Sequence, residues 1–454
     1  KPLICSTGMC TEFEIKQSIK FLQKKGANFV LLHCNSAYPA PFKDVNLAYL
    51  TRLRDLSGSF VGYSGHERGI SIPVGAVALG AKIIEKHFTV DKKMEGNDHK
   101  VSLLPDEFLR MVVEIRSVEE AMGTSEARKI TQGEMLNRET LAKSIVVNQS
   151  VHKGETITRQ MLSVKSPGQG LQPLYLDQLV GKKAKRHFKT GDYFFESDLT
   201  EWEAHPRNYS FSRPFGIPVR YHDYQALSKK SNFNFFEFHL SYQDMRLDLS
   251  KFFLEPQDVG FAVHSPELFE NDHVLNLTSS DEGYRSHSIE HVQGVCNLTR
   301  ELNNYFPKTD TPLIVINAGG FSNHGFLEKG LIPSMYELIA ESLQKIDQTG
   351  VEIIIQSMPP YPWHFGGQRY HNLFVDPEEI KSFCENYNYR ICFDTSHSMM
   401  ACNLYNLDFY KFTQIVSPHI AHMHIADALG VDGEGIQIGR GDIDFEKLAS
   451  CLHE

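Results

Sequence analysis

The chain has 454 residues, a formal net charge of −10, 41% hydrophobic and 22% charged residues. These are ordinary totals for a globular protein of roughly two to four domains. The acidic balance argues against a nucleic-acid surface, and the 8 cysteines are scattered without a Cys-x-x-Cys pair, so reduced thiols are expected rather than structural zinc or disulfides.

Residues 1–135 alternate strand and helix. The first strand covers 3–5. Thr11 and Glu14 then form a Thr-x-x-Glu capping box, Ile15, Ile19 and Leu22 share a helical face, and Gly26 ends the helix. Further strands are predicted over 29–32, 60–63 and 82–88, with a helix-like stretch at 70–80. A helix begins near Pro105 and runs to Gly123, with Phe108, Met111, Val112 and Ile115 inward. Residues two apart in a strand point to one face. Ser64 with His66, and Glu85 with His87, therefore project together from neighbouring strand ends, where α/β folds place their chemistry. Two neutral imidazoles plus water suit a divalent cation, and the carboxylate beside them can move a proton. By the same alternation Lys86 faces away, and only one of His33 and Cys34 faces the active side. The plain structural alternatives are a packed core histidine, a strand-ending turn at Ser6-Thr7-Gly8, and a loop-capping Asp98 in Gly96-Asn97-Asp98.

Several motifs carry a resemblance over residues 1–200. They are Lys1-Pro2 through Ser6-Thr7-Gly8-Met9, Leu31-Leu32-His33-Cys34, Tyr38-Pro39, Ser64-Gly65-His66, Glu85-Lys86-His87-Phe88-Thr89 and Gly96-Asn97-Asp98-His99. In order and spacing they resemble the C-terminal part of a sialic acid synthase, an enzyme that condenses phosphoenolpyruvate with an N-acetylated amino sugar. The resemblance implies the C-terminal half of a (β/α)8 barrel. It also implies a divalent cation, Mn²⁺ or Mg²⁺, held by His66 and His87, with Glu85 as catalytic proton carrier. Asp98 binds the amino sugar by this resemblance, Ser6 and Ser64 lie beside phosphoenolpyruvate, and Ser36 and Tyr38 bind substrate. The sequence opens on a strand without Met. A piece of a longer protein is expected, lacking the preceding half-barrel and inactive alone.

Residues 140–202 change texture to short β-rich pieces split by glycine turns. Val151-His152-Lys153-Gly154-Glu155, with Leu162 later, is echoed by Phe188-Lys189-Thr190-Gly191-Asp192, with Leu199 later; the shared offset is 37 residues between Gly154 and Gly191. This stretch resembles the antifreeze-like (SAF) module that follows the synthase barrel. In that family the module gives an arginine to a partner subunit's site, which implies a homodimer. Ser166 stands at the matching position, and neither Lys165 nor Arg186 is matched by motif.

Residues 208–454 begin a second α/β series, with strands over 215–221, 235–240, 260–263, 313–317, 352–355, 389–393 and 420–425. Seven strands imply a second barrel truncated before its last strand. Polar residues collect at the strand ends: Glu237, His239, His264, Asn317, Gln356, Asp394, His397 and His424, with Asp427, Asp432 and Glu434 following. Asp394-Thr395-Ser396-His397 and Gly433-Glu434-Gly435 through Ile438-Gly439-Arg440-Gly441 resemble the xylose isomerase-like barrels, which include sugar isomerases, epimerases and an abasic-site endonuclease branch. That resemblance implies Asp394, His424 and His397 as metal ligands. Glu237, His239, His264, Gln356 and Glu434 are then pocket residues. Gln356 stands where the family has a ligating Glu, and Asn317 where the nuclease branch has a ligating His. A one-metal sugar site and a degenerate binding barrel both remain open.

The combined expectation is a nonulosonic acid synthase acting on an N-acetylmannosamine-like sugar, fused to a sugar isomerase- or epimerase-like barrel. The alternatives are a legionaminic-, pseudaminic- or 6-phosphate-type synthase, or a sugar-binding scaffold. No nucleotide cofactor is expected, because no glycine-rich strand-to-helix pattern occurs. No nucleic-acid partner and no membrane span are expected either, since no run of about 18 apolar residues exists, and a cytoplasmic location follows.

Overall fold

The computed structural model describes residues 1–128, 130–200, 207–364 and 367–452. The extreme ends of the expected 140–202 and 208–454 segments lie outside the described residues. The chain divides into two compact units, Lys1–Arg128 and Lys129–Glu454. Among the described residues, no helix is long and apolar enough to cross a membrane.

The first unit is built on four parallel strands paired in sequence order: Leu3–Ser6, Phe29–Cys34, Val61–Gly65 and Ile84–Lys86. The first helix, Glu12–Lys24, carries the predicted capping box, with Glu14 accepting from the Thr11 amide at 2.7 Å. Ile15 and Ile19 of this helix pack with Leu31, Leu53, Val61 and Tyr63 in one core. The helix Pro105–Met122 buries Met111. Val112 is 36% exposed and does not face inward. It lies about 100° around the helix from Met111, with Phe108 and Ile115 between the two.

In the second unit, the strands Ser144–Val147 and Leu162–Lys165 pair antiparallel. The internal repeat is physically real here. Val151 and Phe188, one offset apart, exchange both backbone hydrogen bonds, at 3.0 and 2.9 Å. Gly154 donates to Ala184 O, and Gly191, its repeat equivalent, donates to Val147 O, both at 2.7 Å. Each half thus completes the other around a local two-fold, over a core of Val151, Ile157, Phe188 and Phe194. The glycines stand at φ +85° and +94°, where a side chain is strained.

Seven parallel strands follow, again paired in chain order: Gly216–Val219, Phe235–His239, Gly260–His264, Leu313–Ile316, Glu352–Gln356, Ile391–Asp394 and Ile420–His424. Each matches a predicted strand to within a few residues. The strands are apolar on both faces, as parallel strands covered by helices are. Alternation separates the two faces. Ile353 and Ile355 join the large core shared with the helices, while Ile354 packs with Val315 and Cys392 in a separate inner cluster. The period of two then carries Gln356 and Asp394 inward from Ile354 and Cys392.

Candidate functional site

The first site lies at the C-terminal ends of the first unit's strands. Register sets Cys34 beside Ser64 and Ser64 beside Glu85, and the Ser64 hydroxyl donates to Glu85 Oε1 at 2.7 Å. The His66 and His87 rings meet edge-on, centroids 5.0 Å apart. Tyr38 covers both, with centroids 4.2 Å from His66 and 5.7 Å from His87. His66 Nδ1 lies 2.7 Å from Asn35 O. Donation to that carbonyl fixes the tautomer and leaves Nε2 as the free lone pair. Asp98 opens a short 3-10 turn, with Oδ2 4.0 Å from His87 Nδ1. Its backbone carbonyl accepts from Ser102, so the loop-capping role belongs to the main chain and the carboxylate is left toward His87. Ser36 is drawn in by Gly8: a Cβ on that glycine would fall 2.1 Å from Ser36 Oγ. Ser6 ends the neighbouring strand beside Leu32, with no contact to the histidines among the contacts described.

Two features of this site escaped the sequence reading. Cys34, not His33, is the strand-end residue that faces the site, with Sγ 3.6 Å from His66 Nδ1; His33 is buried against Val45 O at 2.6 Å. The second is a locked pair on the opposite face. Lys86 Nζ lies 2.6 Å from Glu67 Oε1, both side chains fully buried, and Tyr63 donates to Glu67 Oε2 at 2.6 Å. Burial pulls the Lys86 ammonium down from its ordinary value, against the attraction of Glu67. Glu67 follows His66 and Lys86 precedes His87, so this ion pair ties together the two strand ends that present the imidazoles.

The second site occupies the interior of the seven-stranded sheet at its C-terminal end. Glu237 is its centre. Its carboxylate, 5% exposed, accepts from His239, His422 and His424. Burial opposes the charge, but the three imidazoles hold the carboxyl well below the usual range. Among the described residues, Glu237, His239 and His424 are the group of three whose ligand atoms all lie within 4.8 Å of one another. His264 stacks on His239, centroids 4.6 Å apart, and reaches Gln356 Oε1 at 3.1 Å. Its own burial keeps its pKa low.

The sequence expectation grouped Asp394, His397 and His424 on one cation. The structure instead assigns Asp394 two other tasks. It is the N-cap of the helix Thr395–Tyr405, with Oδ1 accepting from the His397 amide at 3.0 Å. The Asp-x-x-His spacing is therefore the spacing of a helix cap. Oδ2 accepts from the Gln356 amide at 3.0 Å and faces His424 Nδ1 at 3.4 Å. His397 turns elsewhere: Nδ1 lies 2.8 Å from Ser357 O and Nε2 3.1 Å from Glu434 Oε1. Burial disfavours both charges of this pair, yet mutual attraction wins. Asp394 is held at about 2 by His397 and His424, and His397 is raised to about 9 by Asp394 and Glu434. His422, which the strand-end residues named from sequence did not include, carried the signal of alternation two before His424. Asp427 is structural: its carboxylate accepts from the amides of Ala428, Gly439, Gly441 and Ile443. Asn317 turns its Oδ1 to the Gly319 amide.

Residues 225–454, just over half of the chain, match the xylose isomerase-like TIM barrel family. The chain belongs to that family. Residues 1–127 match the NeuB family and residues 142–200 the SAF domain, the architecture implied by the motifs. The N,N'-diacetyllegionaminic acid synthase of Campylobacter jejuni is 41% identical over 199 residues, 43% of this chain and 59% of that protein. A pseudaminic acid synthase of Campylobacter jejuni is 38% identical over 44% of this chain and 58% of its own length. The human N-acetylneuraminate-9-phosphate synthase is 40% identical over 40% of this chain and 51% of its own length. The chain thus spans between 51% and 59% of the length of these relatives.

In the SAF segment, Ser166 is exposed just after the strand Leu162–Lys165. Arg186 is held down. It stacks 4.1 Å over the Phe188 ring, donates to Tyr193 O at 2.8 Å, and stands 3.7 Å from Asp192.

Proposed function

We propose that the protein is a nonulosonic acid synthase that condenses phosphoenolpyruvate with an N-acetylmannosamine-like sugar, fused to a sugar isomerase- or epimerase-like barrel. The observation that carries this reading is the convergence of Ser64–Glu85 and the edge-on His66–His87 pair on adjacent strand ends. The donor set fits a divalent cation, Mn²⁺ or Mg²⁺, because His66 keeps one nitrogen free while Asn35 O holds the other. When bound, such a cation would polarise the open-chain aldehyde of the sugar. His66 Nε2 and a ring nitrogen of His87 would hold it. Glu85, oriented by Ser64, carries the proton that moves as the enolpyruvate carbon attacks and water adds. Asp98 receives the amino sugar, Ser6 and Ser64 lie on the phosphoenolpyruvate side, and Ser36 and Tyr38 bind substrate.

The functional division follows 1–135, 140–202 and 208–454. A homodimer is part of the reading, with the SAF segment reaching a partner's site. A cytoplasmic location is supported by eight free cysteines. Ser166 favours a second reading of the substrate, since an exposed hydroxyl replaces the arginine of the sialic acid pattern. The test is phosphate release from phosphoenolpyruvate by the complete gene product, assayed with N-acetylmannosamine, its 6-phosphate, and legionaminic- and pseudaminic-type precursors. Release that depends on one of these sugars supports the reading and names the substrate. Release with none of them rejects it.

A further inference from the structure

We propose that the second barrel holds a divalent first-row transition cation on Glu237, His239 and His424, displaced from the position that the Asp394-x-x-His397 motif would give it. The strand ends Phe235–His239 and Ile420–His424 supply all three ligands. Two imidazoles and one carboxylate form a neutral-nitrogen and oxygen donor set that leaves coordination positions open.

The motif position is filled by hydrogen bonds. Asp394 spends Oδ1 on the helix cap and Oδ2 on the Gln356 amide. Gln356 turns its NH₂ toward Asp394 and His424 and its oxygen toward His264. An amide hydrogen cannot ligate a cation, so Gln356 is a spacer between side chains rather than a weakened ligand. His397 spends its nitrogens on Ser357 O and Glu434, and its Nδ1 stands 3.7 Å from Asp394 Oδ2.

The Glu237 group has what the motif position lacks. Its three ligand atoms lie within 4.8 Å of one another. Each ligand also has an outer partner. His422 Nε2 donates to Glu237 Oε2 at 2.5 Å, which leaves Oε1 for the cation. With His424 Nε2 on the cation, its Nδ1 faces Asp394 Oδ2 at 3.4 Å and the Gln356 amide at 3.1 Å. His239 is stacked on His264. Such outer partners fix ring orientation and are worth about 10- to 100-fold in metal affinity. His239 is 38% exposed, so the open positions face the mouth of the barrel. They would take two adjacent oxygens of an open-chain sugar, a hydroxyl and a carbonyl. This last point rests on the reading of the barrel as sugar-binding.

The experiment is titration of the complete chain with Co²⁺, read by visible absorption, and with Mn²⁺ by calorimetry. A His66→Ala/His87→Ala background removes the first site's signal. One cation per chain is expected in this background. His239→Ala, and the size-conserving His239→Gln as a control for folding, should weaken binding about 100-fold or more, and Asp394→Asn about 10-fold. Gln356→Glu should not tighten it. Wild-type affinity in both His239 variants, with Gln356→Glu tightening binding, returns the cation to the motif position and overturns the proposal. So does the absence of binding by the unsubstituted barrel. Sugars that leave the Co²⁺ spectrum unchanged reject only the sugar reading, and the metal site stands.

Discussion

The buried Lys86–Glu67 pair should stabilise the first site by holding its two histidine-bearing strand ends together. Both side chains are fully buried, and the lysine also donates to the Glu67 backbone carbonyl. Lys86→Met would remove the cation and leave a carboxylate in the interior whose only remaining partner described here is the Tyr63 hydroxyl. Breaking one side of a buried pair costs about 3–5 kcal/mol. Glu67→Gln on top of Lys86→Met removes the stranded charge, and the Gln carbonyl still accepts from Tyr63. What remains lost is the bond to the Glu67 carbonyl, about 1–2 kcal/mol. The double variant should therefore recover on the order of 2 kcal/mol over the single one, a sizeable coupling by double-mutant standards. Native-state hydrogen exchange of the strands Val61–Gly65 and Ile84–Lys86 in the complete protein reads this locally. Exchange there should accelerate about 10²–10³-fold in Lys86→Met and far less in the double variant. An effect below about tenfold in Lys86→Met, or a double variant no better than the single, would refute the reasoning.

Other consequences can be measured independently. Glu85→Gln keeps shape but loses the titrating proton, so turnover should fall about 10²-fold or more while metal content is unchanged; loss of metal instead would make Glu85 a ligand or an orienting group. Asp427→Ala strands the four amides that its carboxylate accepts from, and should destabilise the barrel by about 3–5 kcal/mol, seen as a lowered Tm with the first unit's exchange unaffected. The His397–Asp394 pair sets a pH window for the barrel with chelator present. His397 is raised from 6.5 to about 9, so its contribution is complete below 6.5 and lost as pH rises through about 9. Asp394 is lowered from 3.8 to about 2, so its contribution is present above 3.8 and lost as pH falls through about 2. His397→Gln should flatten the alkaline arm of a urea-midpoint profile, and an unchanged arm would contradict this origin.

Much of the first site was legible because its signal is local. Strand alternation put Ser64 with His66 and Glu85 with His87, and the structure joins them crosswise, Ser64 to Glu85 and His66 to His87. Alternation also turned Lys86 away, but nothing in the spacing said that Glu67 would meet it, because the parallel register that sets Ser64 beside Glu85 is a tertiary fact. The second site was legible as a set of strand-end residues and not as a grouping. Asp-x-x-His serves equally as a ligand spacing and as a helix cap, and only the helix beginning at Thr395 decides between them. Glu237 meets His424 across the sheet, from the second of the seven strands to the last. No spacing argument reaches that far.

The His66 and His87 imidazoles are proposed to serve the condensation together. This is tested most directly by phosphate release from phosphoenolpyruvate, with the accepted amino sugar, in complete protein carrying His66→Ala or His87→Ala. Either substitution should abolish release, and EDTA should do the same to the unsubstituted protein. Undiminished turnover in either variant would contradict it.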